Sequence, residues 1–168
     1  TFLFIGRLVE EKNIIRLVRL IDSINLDDNM NHKINIIGSG YLKNKILKYK
    51  CVNYKGPLNQ KEIIDIAHHS DVFCLPSSYE PWGVVTHEMT ALGLPVLISN
   101  KCGSADLVKN GINGFKFDPL DDFSIISAIN KFTLLSNSQK KDFSLNSIKI
   151  SKTITHNLWN KTLLSLIN

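Results

Sequence analysis

The chain is poor in cysteine, with three among 168 residues: Cys51, Cys74 and Cys102. Their odd number and wide spacing give neither a disulfide framework nor the CxxC or Cys/His pattern of a zinc site, so a reducing compartment is the simpler setting. Long apolar runs are missing too. No stretch approaches the roughly 18 residues of a membrane span, and the N-terminus lacks the charged region and cleavage site of a secretory signal, so the chain reads as soluble. Like-charge runs are also absent. The formal net charge is +5 and the pI about 9.1, yet Lys and Arg alternate with Ile, Leu and Asn, which does not suggest a nucleic-acid-binding stripe. There is no internal repeat and no linker long enough to split the chain. With 43% hydrophobic residues over this length, one domain with its own core is the default.

What is present is alternation. Short apolar runs rich in β-formers recur at Phe2–Ile5, Ile34–Ile37, Val52–Tyr54, Val72–Leu75 and Pro95–Ile98, with a weaker one at Gly114–Phe117. Between them, Asn13–Ile24 carries a broad apolar stripe at helical spacing, and Gln60–His68 and Val84–Leu92 read similarly. Buried parallel strands read as continuous apolar runs and need crossover helices. The pattern therefore predicts an α/β fold: a doubly wound, Rossmann-like parallel sheet with helices on both faces. Beyond Phe117 the strand signal fades into helical segments at Leu120–Leu135, Ser138–Ile150 and Thr155–Ile167, so a helical C-terminus is expected. The chain opens on Thr1-Phe2-Leu3-Phe4-Ile5, inside a strand and without an initiator Met, and something upstream is expected to have been removed.

In an open α/β sheet, ligands bind beyond the carboxyl ends of the strands. The first such edge, Gly6 to Asn13, offers Arg7, Lys12, backbone N–H groups and a helix start to a pyrophosphate, although for an isolated Gly-Arg a solvated charged turn is the simpler explanation. The second, Gly38-Ser39-Gly40-Tyr41, lets a ligand approach the backbone or is a plain turn. It lacks the full GxGxxG, so a dinucleotide fingerprint is not supported. The third is the most informative. Glu80 lies in the loop after a strand and Glu88 about one turn into the next helix, with Pro81-Trp82-Gly83-Val84-Val85-Thr86-His87 between them. Two carboxylates flanking a helix N-terminus can accept from sugar or ribose hydroxyls while the free N–H groups receive a phosphate. An N-terminal Glu favouring the helix dipole plus an exposed Glu would explain the two residues separately, but not Pro81-Trp82-Gly83. The fourth edge follows Leu94–Ser99 with Gly103-Ser104-Ala105-Asp106, and the Asn110–Gly114 turn after it is structural.

These residues resemble the C-terminal half of the retaining glycosyltransferases of family 4. The resemblance covers nearly the whole chain. It rests on GRLVEEKN at 6–13, GSG at 38–40, the block at 70–99 that holds Glu-x7-Glu and Ala91-Leu92-Gly93-Leu94-Pro95, and NGINGF at 110–115. It implies a GT-B enzyme, two facing Rossmann-like domains with the active site in the cleft. Residues 1–168 would be the nucleotide-sugar-binding domain, and the N-terminal acceptor domain of the same polypeptide would be its missing partner.

The resemblance also assigns roles. Arg7 and Lys12 are expected to bind the donor diphosphate and stabilise the leaving nucleoside diphosphate without a metal. Glu80 is expected to contact the transferred sugar, and Glu88 the ribose. Gly6, Gly38 and Gly40, and the backbone of Pro81, Trp82, Gly83, Val84 and Val85, complete the donor-binding set, with Arg7, Lys12 and Glu80 as the catalytic group. No cofactor and no metal are implied, since the nucleoside-diphosphate sugar is a substrate. The sequence departs from the usual pattern at Trp82, where Phe is commoner, and at Thr90 and Leu92, where Ala and Cys are. Asp71–Leu75 and Gly56-Pro57-Leu58 are expected near the base. Tyr41 either stacks on the base or packs, and His87 either faces the cleft or packs on the sheet. His68-His69 read as a helix end, and His32 and His156 as surface residues.

The expected function is sugar transfer to an acceptor with retention of configuration when the chain is joined to its N-terminal domain. The domain alone should bind donor weakly and turn over nothing. A non-catalytic nucleotide-sugar-binding module and a GT-B epimerase or phosphorylase are the alternatives, whereas an oxidoreductase lacks GxGxxG and its acidic ribose partner. Family acceptors are often lipid-linked or cell-surface polysaccharides, which implies a cytoplasmic enzyme with possible peripheral contact at the inner membrane face. Leu158, Trp159 and Leu163 would face the missing domain.

Overall fold

The computed structural model describes residues 1–27 and 29–153. The expected helix at Thr155–Ile167, with His156, Leu158, Trp159 and Leu163, lies outside the described residues. Six strands, β1 (Phe2–Ile5), β2 (Ile34–Ile37), β3 (Val52–Gly56), β4 (Val72–Leu75), β5 (Val96–Ser99) and β6 (Gly114–Phe117), form one parallel sheet in the order β3-β2-β1-β4-β5-β6. The crossovers carry α1 (Ile14–Asp27), the short α2 (Lys43–Ile46), α3 (Gln60–His68) and α4 (Val84–Ala91), and α5 (Asp122–Thr133) and α6 (Asn137–Ser151) follow β6. All six expected strands form, and the doubly wound reading holds.

Period-two alternation sends the side chains of β1, β2, β4 and β5 to two separate cores. Phe2 and Phe4 of β1 join the Leu17, Ile21, Ile125 and Ile129 faces of α1 and α5, while Leu3 joins Phe73, Ile98 and Met89 on the side of α3 and α4. Helices therefore cover both faces. A fully buried ring such as Phe73 contributes on the order of 3–5 kcal/mol relative to alanine. Helix starts follow from local chemistry. Asn59 and Glu62 form a capping box on α3, Ser136 and Gln139 form one on α6, and the Asp121 carboxylate accepts from the Phe123 N–H at the start of α5.

The segment entering α5 is clipped to α1. Arg16 donates to Asp122 and to the Pro119 carbonyl, and Arg19 donates to Asp122 at 2.6 Å. Hydrogen bonds from Arg19 and then Arg16 hold the Asp122 carboxyl below its ordinary range. The three cysteines are free and buried, and burial raises their thiols, Cys102 to about 12, so they remain protonated at neutral pH. Among the described residues, no helix is long and apolar enough to cross a membrane.

The strand order decides where function can sit. Crossovers run outward from β1 in one direction and from β4 in the other, so the loops after these two adjacent strands diverge and leave a crevice at their carboxyl ends. The loop after β1 begins at Gly6, and that after β4 leads to Glu80.

Candidate functional site

The segment after β1 leaves the sheet at Gly6, passes exposed Arg7, buries Leu8, and makes a 3-10 turn at Glu10–Lys12 that closes on Asn13 in left-handed conformation (φ 51°) before α1 begins. This turn aims Lys12 across the crevice. Its ammonium pairs with the Glu80 carboxylate, and the two side chains are only 16% and 14% exposed. The loops are also joined by backbone, since the Ser78 N–H donates to the Glu11 carbonyl at 2.9 Å. Segments 68 residues apart in sequence thus meet at the switch point. Arg7 takes part in none of the ion pairs found among the described residues.

The loop from Glu80 to Gly83 is held by the turn after β5. Gly103 N–H donates to the Glu80 carbonyl at 2.9 Å and Ser104 N–H to the Trp82 carbonyl at 2.7 Å. The approach is so close that a Cβ on Gly103 would stand 2.0 Å from the Pro81 oxygen. The buried Ser104 hydroxyl donates to the Thr86 hydroxyl at 3.0 Å, and Thr86 N–H bonds the Gly83 carbonyl, fixing the first turn of α4. Gly83 has φ 86° as N-cap, where only glycine sits without strain. No side chain caps α4 and its first turn holds no acidic residue, so its N-terminal N–H groups are suited to an anion. Pro81, Trp82 and Val84 are exposed and Val85 half-buried.

Gly38 and Gly40 are held to glycine by contacts within the fold. Their room is filled by the chain's own backbone: a Cβ on Gly38 would stand 2.0 Å from the Gly6 oxygen, and one on Gly40 2.3 Å from the Leu8 oxygen. Leu8 N–H donates to the Ser39 carbonyl at 2.7 Å, so the GSG turn packs directly under the Gly6–Leu8 segment. Tyr41 is 67% exposed, and its hydroxyl accepts from the Glu10 N–H, again bracing that segment.

Glu88 is exposed on α4 and lines a groove of about 560 Å³ between α3 and α4, with Gln60, Ile63, Ile64, Met89, Ala91 and Leu92. The residues of α3 were not expected here, because an amphipathic helix reads as core without showing which edge stays open. Asp71–Leu75 do not line it. Val72–Leu75 are buried in the two cores, and Asp71 sits at the opposite sheet edge against the Thr1 amino group. The Nε2 of His87 lies 3.0 Å from the Ser151 carbonyl at the end of α6, a contact the sequence did not indicate. His68 and His69 do close α3, whereas His32 stacks edge-on against Phe2 rather than standing free.

Comparison with known proteins bears on this site. The family model for glycosyl transferases group 1 matches residues 1–149. An uncharacterized glycosyltransferase of Methanocaldococcus jannaschii is 30% identical over 155 residues, 88% of this chain and 38% of the relative. A UDP-Gal:alpha-D-GlcNAc-diphosphoundecaprenol alpha-1,3-galactosyltransferase of Escherichia coli is 33% identical over 144 residues, 79% of this chain and 36% of the relative. The chain thus spans somewhat over a third of the length of these curated relatives. Among solved structures, TarM superposes with a TM-score of 0.82 at 22% identity, covering 99% of this chain and 35% of that one, which is a likeness of fold.

Proposed function

The chain belongs to the glycosyl transferases group 1 family, and from that premise we propose that it is the donor-binding domain of an enzyme that moves a sugar from a nucleoside diphosphate to an acceptor with retention of configuration. The observation that carries the reading is the meeting of Lys12 and Glu80 at the switch point, beside the uncapped start of α4. Arg7 and Lys12 bind the diphosphate together with the N–H groups of Val84 and Val85. As the bond between sugar and phosphate breaks, negative charge grows on the leaving diphosphate, and the two cations stabilise it. Glu80 accepts from sugar hydroxyls and Glu88 from the ribose. The groove between α3 and α4 then offers the half-buried Ile63 and Ile64 as apolar seats for the base, with Gln60 as a hydrogen-bonding group at its rim. Gly6, Gly38 and Gly40 serve by shaping the segment that carries Arg7.

The acceptor site belongs to a second, N-terminal domain across the crevice, so this chain alone binds donor and does not complete transfer. We place the enzyme on the cytoplasmic side of the membrane, where its net charge of +5 suits an anionic surface. Salt-sensitive association with anionic vesicles is expected, and no association at low salt would remove that placement. The donor reading is tested by calorimetric titration of the chain with UDP, GDP, ADP and NAD. Selective binding of one diphosphate, weakened in Glu88→Ala, is expected. Binding of NAD alone, unaffected by Glu88→Ala, would overturn the reading.

A further inference from the structure

Lys12 and Glu80 are expected to serve different parts of a donor, the diphosphate and the sugar, yet the structure pairs them with each other. We propose that this pair makes the site discriminate a nucleotide sugar from the free nucleoside diphosphate, and so favours release of the diphosphate once the sugar has gone; the inference rests on the donor reading above.

The physical basis is the partial burial of both groups. At 14% exposure, the Glu80 side chain has limited access to water that could replace a lost partner, and taking away one member of a part-buried ion pair leaves a charge that is costly to strand. A diphosphate engages Lys12 fully only by drawing it from Glu80. An intact donor compensates the carboxylate directly, because sugar hydroxyls donate to it. A free diphosphate brings no such donor, so it must either leave Glu80 stranded or share Lys12 with it. After transfer, the sugar departs with the acceptor and Glu80 again competes for the ammonium. Arg7, which is exposed and in none of the ion pairs among the described residues, has no such competitor. The loop holding Glu80 is pinned on both sides, to Glu11 through Ser78 and to Gly103 through its own carbonyl, so the carboxylate stays within reach of Lys12.

The test is a double-substitution cycle read by calorimetry with UDP, GDP and ADP on the wild-type chain, Glu80→Gln, Lys12→Met and the double variant. Glutamine keeps the shape of glutamate without its charge, and thermal melting checks that each variant folds. The expected result is that Glu80→Gln tightens the preferred diphosphate about tenfold when Lys12 is present and less than about threefold when it is Met. An equal gain in both backgrounds would mean simple loss of a repelling charge and would overturn the proposal, as would unchanged or weaker binding in Glu80→Gln. If none of the three diphosphates binds either the wild type or Glu80→Gln, the donor reading itself fails, and the inference with it.

Discussion

Gly38→Ala is expected to destabilise the chain by about 2–6 kcal/mol, adding overpacking of ~1–3 kcal/mol to backbone strain of ~1–3 kcal/mol. The methyl would stand 2.0 Å from the Gly6 oxygen, at φ 130° where side chains are rarely accommodated. Neither neighbour can yield cheaply. Gly6 N–H is bonded to Ile37 and Gly38 N–H to Gly56, so moving either segment breaks sheet-edge hydrogen bonds at the ends of β1 and β2. Against a typical domain stability of about 5–15 kcal/mol the loss is a large fraction. Urea denaturation checks it: the midpoint of Gly38→Ala should fall well below that of the wild type. Equal midpoints would show that the two turns do not pack as described.

Arg7→Ala is expected to cost the complete enzyme about two to three decades in kcat, by analogy with removing one preorganised donor from a site of developing negative charge. The cation is exposed and in none of the ion pairs among the described residues, so its loss breaks no fold contact of that kind, and melting should change little. That separation is what makes the variant informative. Titration of the isolated chain should show weakened diphosphate binding for Arg7→Ala, with partial recovery in Arg7→Lys, which restores the charge but not the planar fork. A variant that keeps full affinity and turnover would remove Arg7 from the diphosphate site.

Much of the fold was legible because its signals are local. All six strands were marked by apolar runs, and α3 and α6 begin at capping boxes that can be read from residues three apart. The spacing of Glu80 and Glu88 likewise placed one carboxylate in a loop and the other on α4. What escaped depends on contacts between distant segments. The short α2, the 3-10 turn at Glu10–Lys12 and that at Gly103–Leu107 carry too few residues for periodicity to register. Gly38 and Gly40 were read either as a ligand approach or as a plain turn, and their close packing against the backbone of Gly6 and Leu8 was not legible. Gly103 and Ser104 gave no sequence signal of their grip on the Glu80–Gly83 loop, because their partners are more than 15 residues away. The ion pair of Lys12 with Glu80 is of the same kind. Each residue was a site candidate, and only the pairing of β1 with β4 at the centre of the sheet brings them together. His87 lies inside a functional motif, and its ring contact with the end of α6 again joins segments distant in sequence.

The most direct measurement is mapping of backbone amide shifts in the isotope-labelled chain as UDP, GDP and ADP are added in turn. A donor site at the switch point is expected to move the amides of Gly6–Lys12, Gly83–Glu88 and the Gln60–Ile64 face of the groove together, with one nucleotide acting at the lowest concentration. Shifts confined to the opposite sheet edge, around His68, Ser70, Leu94 and Lys140, would contradict the assignment of the donor to this crevice.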